Sequence, residues 1–355
     1  MISRQTVYML LIACLFFQNC KQATNHSKSK SMNETESIIA KHANEFLIPH
    51  NIHSVSIGVF NKGEEYSMHF GEISPDGNES PTDSTLYELA SISKTFVGTM
   101  TAQAVLDNKL SLDDDIRIYL EGKYPNLQYN GEKITIKHIL THTSGFPNFP
   151  KSMESKEVFW EEIKEIEINE SPGTKCSYSN TAPELLAYIL ERVYDTPYQA
   201  LVVKNILDPN GMKDTKVKLS TLEQNRLIQG YNGETEPQAH LNNRLWGGIA
   251  GYHSTTQDMI KYIKFHLNED NPVVKESHKN FYSTSDDYDI GYHWNIIEIE
   301  GTTCYLHHGG IWGMQNWLMV FPEDNIGIVV SSNASFEGID DRLFDLAEGV
   351  YKELR

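Results

Sequence analysis

Strand-type patterning in this chain is confined to its two ends. Ser54–Phe60 and Tyr66–Phe70 are rich in β-branched and aromatic residues and flank Asn61-Lys62-Gly63, a hairpin signal. From Asp289 onward the runs IGYHWNIIEI, TTCYLHH, MQNWLMVF and IGIVVSS repeat the pattern, with turns at Gly301 and at Pro322 to Asn325. The intervening chain reads as helical, most strongly over Ala182–Val193 and Gln257–His266. Further helices are expected over Glu36–Leu47, from Ser91 to about Leu106, and over Asp340–Leu354. Strands this far apart in sequence must each bury an apolar face. The simplest assembly is one antiparallel sheet built from both ends and covered by helices, an α+β fold. The sheet region then takes residues 36–105 and 240–355, with an all-helical insertion over about 106–239.

The N-terminus carries Arg4 and the apolar stretch Val7–Phe17, too short to cross a bilayer comfortably. It ends at Cys20 and gives way to a polar stretch rich in Ser, Lys and Asn. This resembles a bacterial lipoprotein signal: residues 1–20 as an export leader, Cys20 as the lipidated residue and 21–35 as a tether. Cys14 has smaller flanking residues, but cleavage there leaves a very short apolar core. The expectation is an exported protein that meets a membrane only through a lipid on Cys20. In the mature chain Cys176 and Cys304 admit either a disulfide or two buried thiols. A formal net charge of −18 excludes nucleic acid as a partner, because phosphate binding needs clustered Lys and Arg.

Chemistry first shows in ELASISKTF, Glu88–Phe96, where Ser91 and Lys94 stand three apart on a helix start. Such residues share a helical face, so the amine can reach the hydroxyl and take its proton. The pattern is common: Ser27 and Lys30 match it in the polar tether. Two later clusters separate the matches, Cys176-Ser177-Tyr178-Ser179-Asn180 and His307-His308-Gly309-Gly310-Ile311-Trp312-Gly313. S-x-x-K at Ser91/Lys94, Y-x-N at Tyr178/Asn180 and H-x-G at His308/Gly310 occur in that order. Together they resemble the serine hydrolases related to class C β-lactamases and low-molecular-weight penicillin-binding proteins. LTHTSGFP (Leu140–Pro147), YSNTAPELLAYILE (Tyr178–Glu191), DPNGMKDT (Asp208–Thr215) and AGYHSTTQDM (Ala250–Met259) look like segments of the same family, over residues 36–355.

The resemblance implies a β-lactamase/transpeptidase-like fold and an acyl-enzyme mechanism. Ser91 is the nucleophile, and Lys94 and Tyr178 divide the acid and base work. Asn180 is expected to hold Lys94 and a substrate carbonyl, or to cap the following helix. His308 and Gly310 are expected to line the cleft at a strand end, with His307 facing the other way. The amides of Ser91 and Ile311 then form the oxyanion hole. β-Lactamases usually carry lysine where His308 is placed. A histidine, mostly neutral near pH 7, binds a substrate carboxylate less well. The implied activity therefore shifts toward esters, amides and D-amino-acid peptides, with β-lactam hydrolysis disfavoured. The expected partner is a small-molecule or peptide substrate, with no cofactor. The other reading is a penicillin-binding-like sensor that keeps the fold without turnover. His138 and His142 have a metal-ligand spacing but lack an H-E-x-x-H frame, and no G-x-S-x-G elbow exists. Trp246, Trp294, Trp312 and Trp317 read as core and cleft wall.

Overall fold

The computed structural model describes residues 32–49, 51–148, 153, 155–285 and 288–355. Cys20, the leader and most of the tether lie outside the described residues. β1 (Ser54–Asn61) and β2 (Glu64–Gly71) pair antiparallel through Lys62-Gly63, both with positive φ. That backbone matches the twist of the flanking strands in a two-residue hairpin. The later strands are β3 (Tyr282–Ser283), β4 (Asp289–Gly291), β5 (Trp294–Ile299), β6 (Thr302–Ile311), β7 (Met314–Phe321) and β8 (Ile326–Ser332). Their order is β2-β1-β8-β7-β6-β5-β4-β3, antiparallel throughout. The joint between the two chain ends is β1 against β8, with Val55 opposite Ser332 and Asn61 opposite Ile326.

Four helices cover the sheet, α1 (Glu34–Phe46), α2 (Ser93–Leu106), α4 (Thr256–Leu267) and α5 (Ile339–Leu354), while α3 (Thr181–Tyr194) packs on α2. α1 begins two residues earlier than its apolar spacing suggests, because Asn33 and Glu36 close a capping box. α1 and α5 cover one sheet face, where Ile39, Leu343 and Val350 meet Ile57, Leu306, Met319 and Ile328. α2 and α4 cover the other, where Phe96 and Ile260 share a core with Leu318, Val320 and Val329. α4 can lie this close because Gly58 and Gly327 stand under it. A Cβ at Gly327 would sit 2.1 Å from Ile263, and one at Gly58 2.9 Å from Ile260.

Among its described residues, the segment between α2 and α4 adds no strand to the large sheet. Its helices, α3 among them, extend the core of the α2 side through Leu185, Leu186 and Leu190. It is not all-helical, however. Gln128–Tyr129 pairs with Glu132–Lys133 around Asn130-Gly131, both left-handed, a turn dipeptide the helical reading overlooked. Short helices over Lys156–Glu165 and Pro272–Ser277 were also unanticipated, although Ser155 and Asn271 cap them in the expected way. Cys176 and Cys304 are not bridged, so the disulfide alternative is not realised. Cys304 is sealed in the core beneath α5 and its thiol is pushed up by burial.

Candidate active site

Ser91 lies in a short turn, Ala90–Ile92, that runs directly into α2. Ala90 before it is left-handed with φ 46°, which bends the chain sharply at the head of the helix. Lys94, in the first turn of α2, is fully buried, and its Nζ donates to Ser91 Oγ at 2.9 Å and to the Ile249 carbonyl at 2.9 Å. Tyr178 reaches the same oxygen from across the cleft: its hydroxyl donates to Ser91 Oγ at 2.9 Å. The Lys94 ammonium position is 5.0 Å from the centre of the Tyr178 ring. Burial lowers the Lys94 pKa, and the opposing pulls of Tyr178 and Glu184 do not cancel it. A lysine kept below its ordinary range can hold a lone pair toward a hydroxyl, as a general base requires.

Glu184 was missed by sequence reading. It sits in the first turn of α3 amid apolar neighbours, fully buried, with its pKa raised by that burial. It accepts from Asn243 Nδ2 at 2.6 Å and from the amides of Trp246 at 3.2 Å and Gly248 at 3.1 Å. Asn243 also donates to the Ala250 carbonyl at 2.6 Å. These bonds shape the loop that presents the Ile249 carbonyl to Lys94. A glutamate inside an otherwise apolar helix face was the only available signal, and it reads equally well as a solvent-facing position.

Asn180 departs from expectation. Its Nδ2 donates to Asn148 Oδ1 at 3.0 Å, and its Oδ1 is buried without a hydrogen-bond partner. It occupies the N-cap position of α3 but makes no capping bond. Ser179 takes that role, accepting from the Ala182 amide at 3.1 Å. The turn Leu140–Pro147 and its neighbour Asn148 instead tether the segment. Ser179 Oγ donates to the Pro147 carbonyl at 2.7 Å, and the Asn180 amide donates to the Asn148 carbonyl at 2.5 Å. A cavity of about 530 Å³ adjoins this segment, walled by Phe146, Phe159 and Ile166 with Asn148 and Thr181 at its edge.

The two histidines on β6 are placed opposite to expectation. Directly paired residues on adjacent strands share a sheet face. His307 pairs with Leu318, on the α2 side, and His308 pairs with Trp317, on the α5 side. His307 is therefore the one that senses Lys94. Burial and that lysine hold its pKa at about 3, while its Nδ1 lies 2.6 Å from the His308 carbonyl. His308 lies against the Trp317 ring, centroids 4.8 Å apart, with Nε2 2.7 Å from Gln315 Oε1. The H-x-G frame that faces Ser91 is His307/Gly309, one residue earlier than the sequence reading set it.

The same shift moves the oxyanion donor. Ile311 faces Met314 across the two-residue turn Trp312-Gly313, and the pair closing such a turn exchanges both backbone bonds. Its amide is thus consumed inside the hairpin. Gly310 is the next, non-hydrogen-bonded pair, and its N–H points away from β7. β5 does not run that far, since its pairing with β6 spans Ile299–Thr302 to Asn295–Leu306. The Gly310 N–H is left on an open edge beside the Ser91 turn. Gly309 makes the approach close: a Cβ there would lie 2.3 Å from the Leu89 carbonyl oxygen. Asn316 stitches the two together, its Nδ2 donating at 3.0 Å to both the Glu88 and Gly309 carbonyls.

His142 lies in a turn beyond a short helix, Ile136–Leu140, rather than sharing a helix face with His138. Trp246 and Trp294 are core, whereas Trp312 at the tip of the β6–β7 turn is 64% exposed.

Among solved structures, a beta-lactamase/D-alanine carboxypeptidase from Yersinia pestis superposes with a TM-score of 0.81 at 22% identity, over 90% of this chain and 99% of that one. A penicillin-binding protein homologue from Pyrococcus abyssi gives 0.77 at 23% identity, over 90% and 76%. Protein flp of Staphylococcus aureus strain MRSA252 is 28% identical over 78% of this chain and 57% of its own length. A beta-lactamase of Providencia stuartii is 26% identical over 61% and 56%. The chain thus spans little more than half the length of these curated relatives. The Beta-lactamase family model matches residues 39–349, and the chain belongs to that family.

Proposed function

We propose that the chain is a serine hydrolase acting through an acyl-enzyme on ester, amide or D-amino-acid peptide bonds. The observation that carries this reading is the convergence of Lys94 Nζ and Tyr178 OH on Ser91 Oγ, each at 2.9 Å. Ser91 Oγ attacks the substrate carbonyl and its proton passes to Lys94, whose burial disfavours the ammonium form. The oxyanion is met by the N–H groups of Ser91 and Gly310. Tyr178, 42% exposed where Lys94 is sealed, faces the cleft and hands a proton to the leaving group. Water then attacks the acyl-enzyme, its proton returns through the same pair, and the carboxylic acid leaves.

A neutral His307 beside Lys94 supplies no fixed cation for a β-lactam carboxylate, which favours esters and amides over β-lactams. The cavity walled by Phe146, Phe159 and Ile166 is also lined by Glu162, Glu165 and Glu167, and it suits a substrate group with an apolar body and a polar or cationic end. A fluorophosphonate probe is expected to label the wild type and not Ser91→Ala, and Ser91→Ala is expected to lose p-nitrophenyl ester turnover while remaining folded. An unlabelled, inactive wild type overturns the enzyme reading; fluorescent penicillin retained without turnover would make it a sensor. Export and lipid anchoring through Cys20 belong to the same proposal, and a Cys20→Ala chain that still fractionates with membranes would refute the anchor.

A further inference from the structure

His142 has no part in the chemistry just described, yet its backbone and side chain bracket Tyr178. Its carbonyl accepts from the Ser177 amide at 2.8 Å, and its Nδ1 accepts from the Ser179 amide at 3.2 Å. Its ring lies beside that of Tyr178, centroids 4.7 Å apart. The three contacts grip the residue before Tyr178, the residue after it and its ring. His142 is itself in the left-handed region, φ 56°, an uncommon conformation for a residue with a side chain. Behind it stands His293, rings 5.0 Å apart, buried, with neither ring nitrogen hydrogen-bonded.

We infer that His142 is a positioning residue: its Nδ1 and carbonyl hold the two amides flanking Tyr178 and so fix the phenol over Ser91. This rests on the serine hydrolase reading above. An Nδ1 that accepts from an amide N–H must be unprotonated, so the imidazole is neutral with its proton on Nε2. Burial and the nearby Lys94 keep it so, with a pKa of about 3, and the grip persists across the whole neutral range. Ser179 is fully buried, so loss of the acceptor leaves its N–H with no water to turn to. The strand-like segment around Tyr178 then relaxes, and a small displacement of a reacting group is costly in rate.

The test compares two substitutions in the full chain. Asparagine tolerates left-handed backbone and places Oδ1 where Nδ1 stands, so His142→Asn keeps the acceptor and loses the ring. His142→Phe keeps a ring and loses the acceptor; His142→Ala serves the same purpose if the phenyl variant does not fold. With p-nitrophenyl esters, the acceptor-less variant should lose kcat on the order of ten- to a hundredfold at nearly unchanged KM. Its fluorophosphonate labelling should slow in parallel, and His142→Asn should stay within roughly threefold of wild type. Wild-type rates in the acceptor-less variant, or equal losses in both, overturn the inference. An unlabelled wild type instead overturns the hydrolase reading, so the two failures are told apart.

Discussion

His307 and His308 are neighbours in sequence and occupy different worlds. His307 lies on the sheet face that carries α2, next to Lys94, with its pKa driven to about 3. His308 lies on the face that carries α5, against Trp317 and Gln315, with Asp340 and Asp341 opposing the effect of burial. A single peptide bond separates a ring at the chemistry from a ring in a structural seam. Strand periodicity is the cause, since consecutive side chains point to opposite faces. The α2 face is also where α2 and the loop after α3 bring Lys94 and the Ile249 carbonyl together. The α5 face carries an apolar core, and His308 there turns to Trp317 and Gln315 rather than to Ser91. The two faces can therefore be perturbed separately.

The largest effect is expected on the α2 face itself. Lys94→Met removes the base and should lower kcat by about a thousandfold, within the span general-base catalysis contributes. It should also change how stability depends on pH. Folding holds the Lys94 pKa below its ordinary value of 10.5. Between the two values the unfolded chain binds the extra proton, so stability rises with pH across that window and levels off above 10.5. Below the folded pKa both states are protonated and the buried ammonium is a standing cost. In urea titrations at successive pH values, Lys94→Met should lack this alkaline rise. Persistence of the same slope would mean that Lys94 is not the group responsible.

A second prediction concerns the seam between the faces. Gly309→Ala forces a Cβ to within 2.3 Å of the Leu89 carbonyl, so β6 or the Ser91 turn must move. Either movement misaligns the Gly310 amide with Ser91. The expected loss is about a hundredfold in kcat, comparable to deleting one oxyanion donor. Gly310→Ala makes the useful contrast: its Cβ would meet the Gln315 and His308 side chains at 2.7 and 2.9 Å, on the α5 face. The damage there should fall more on thermal stability than on rate. Equal rate losses from both would restore the later motif frame.

What was legible in the sequence divides along the same line. Ser91 and Lys94 could be paired because an i,i+3 relation on a helix is local geometry. The order of the long strands and of the five long helices followed from periodicity, and the antiparallel sheet joining both ends came with it. His-His-Gly-Gly offers two frames one residue apart, and a one-residue slip turns every strand side chain to the other face. Nothing within that tetrad says which frame holds. The deciding fact is the turn at Trp312-Gly313, which sets the register of Ile311 against Met314. Asn180 was misjudged for a different reason. Its partner is Asn148, and that contact exists only once the Leu140–Pro147 turn has folded against α3. Glu184 and Asn316 were hidden likewise: each is polar, fully buried and bonded to a segment far away in sequence.

The smallest effects give the most direct reading of the two faces. His307→Gln should reduce kcat roughly tenfold, because it replaces a rigid neutral ring packed near Lys94 with a flexible amide. The acidic side of the pH–rate profile should not move, since an imidazole with a pKa of about 3 is already neutral throughout the working range. His308→Gln should leave kcat within about threefold and cost about 1 kcal/mol of stability through its contacts with Trp317 and Gln315. The pair of measurements, ester turnover and urea midpoint, reads both faces at once. If His308→Gln carries the rate loss and His307→Gln the stability loss, β6 presents the opposite face to Ser91. The oxyanion assignment to Gly310 would then fall with it, because the same hairpin register fixes both.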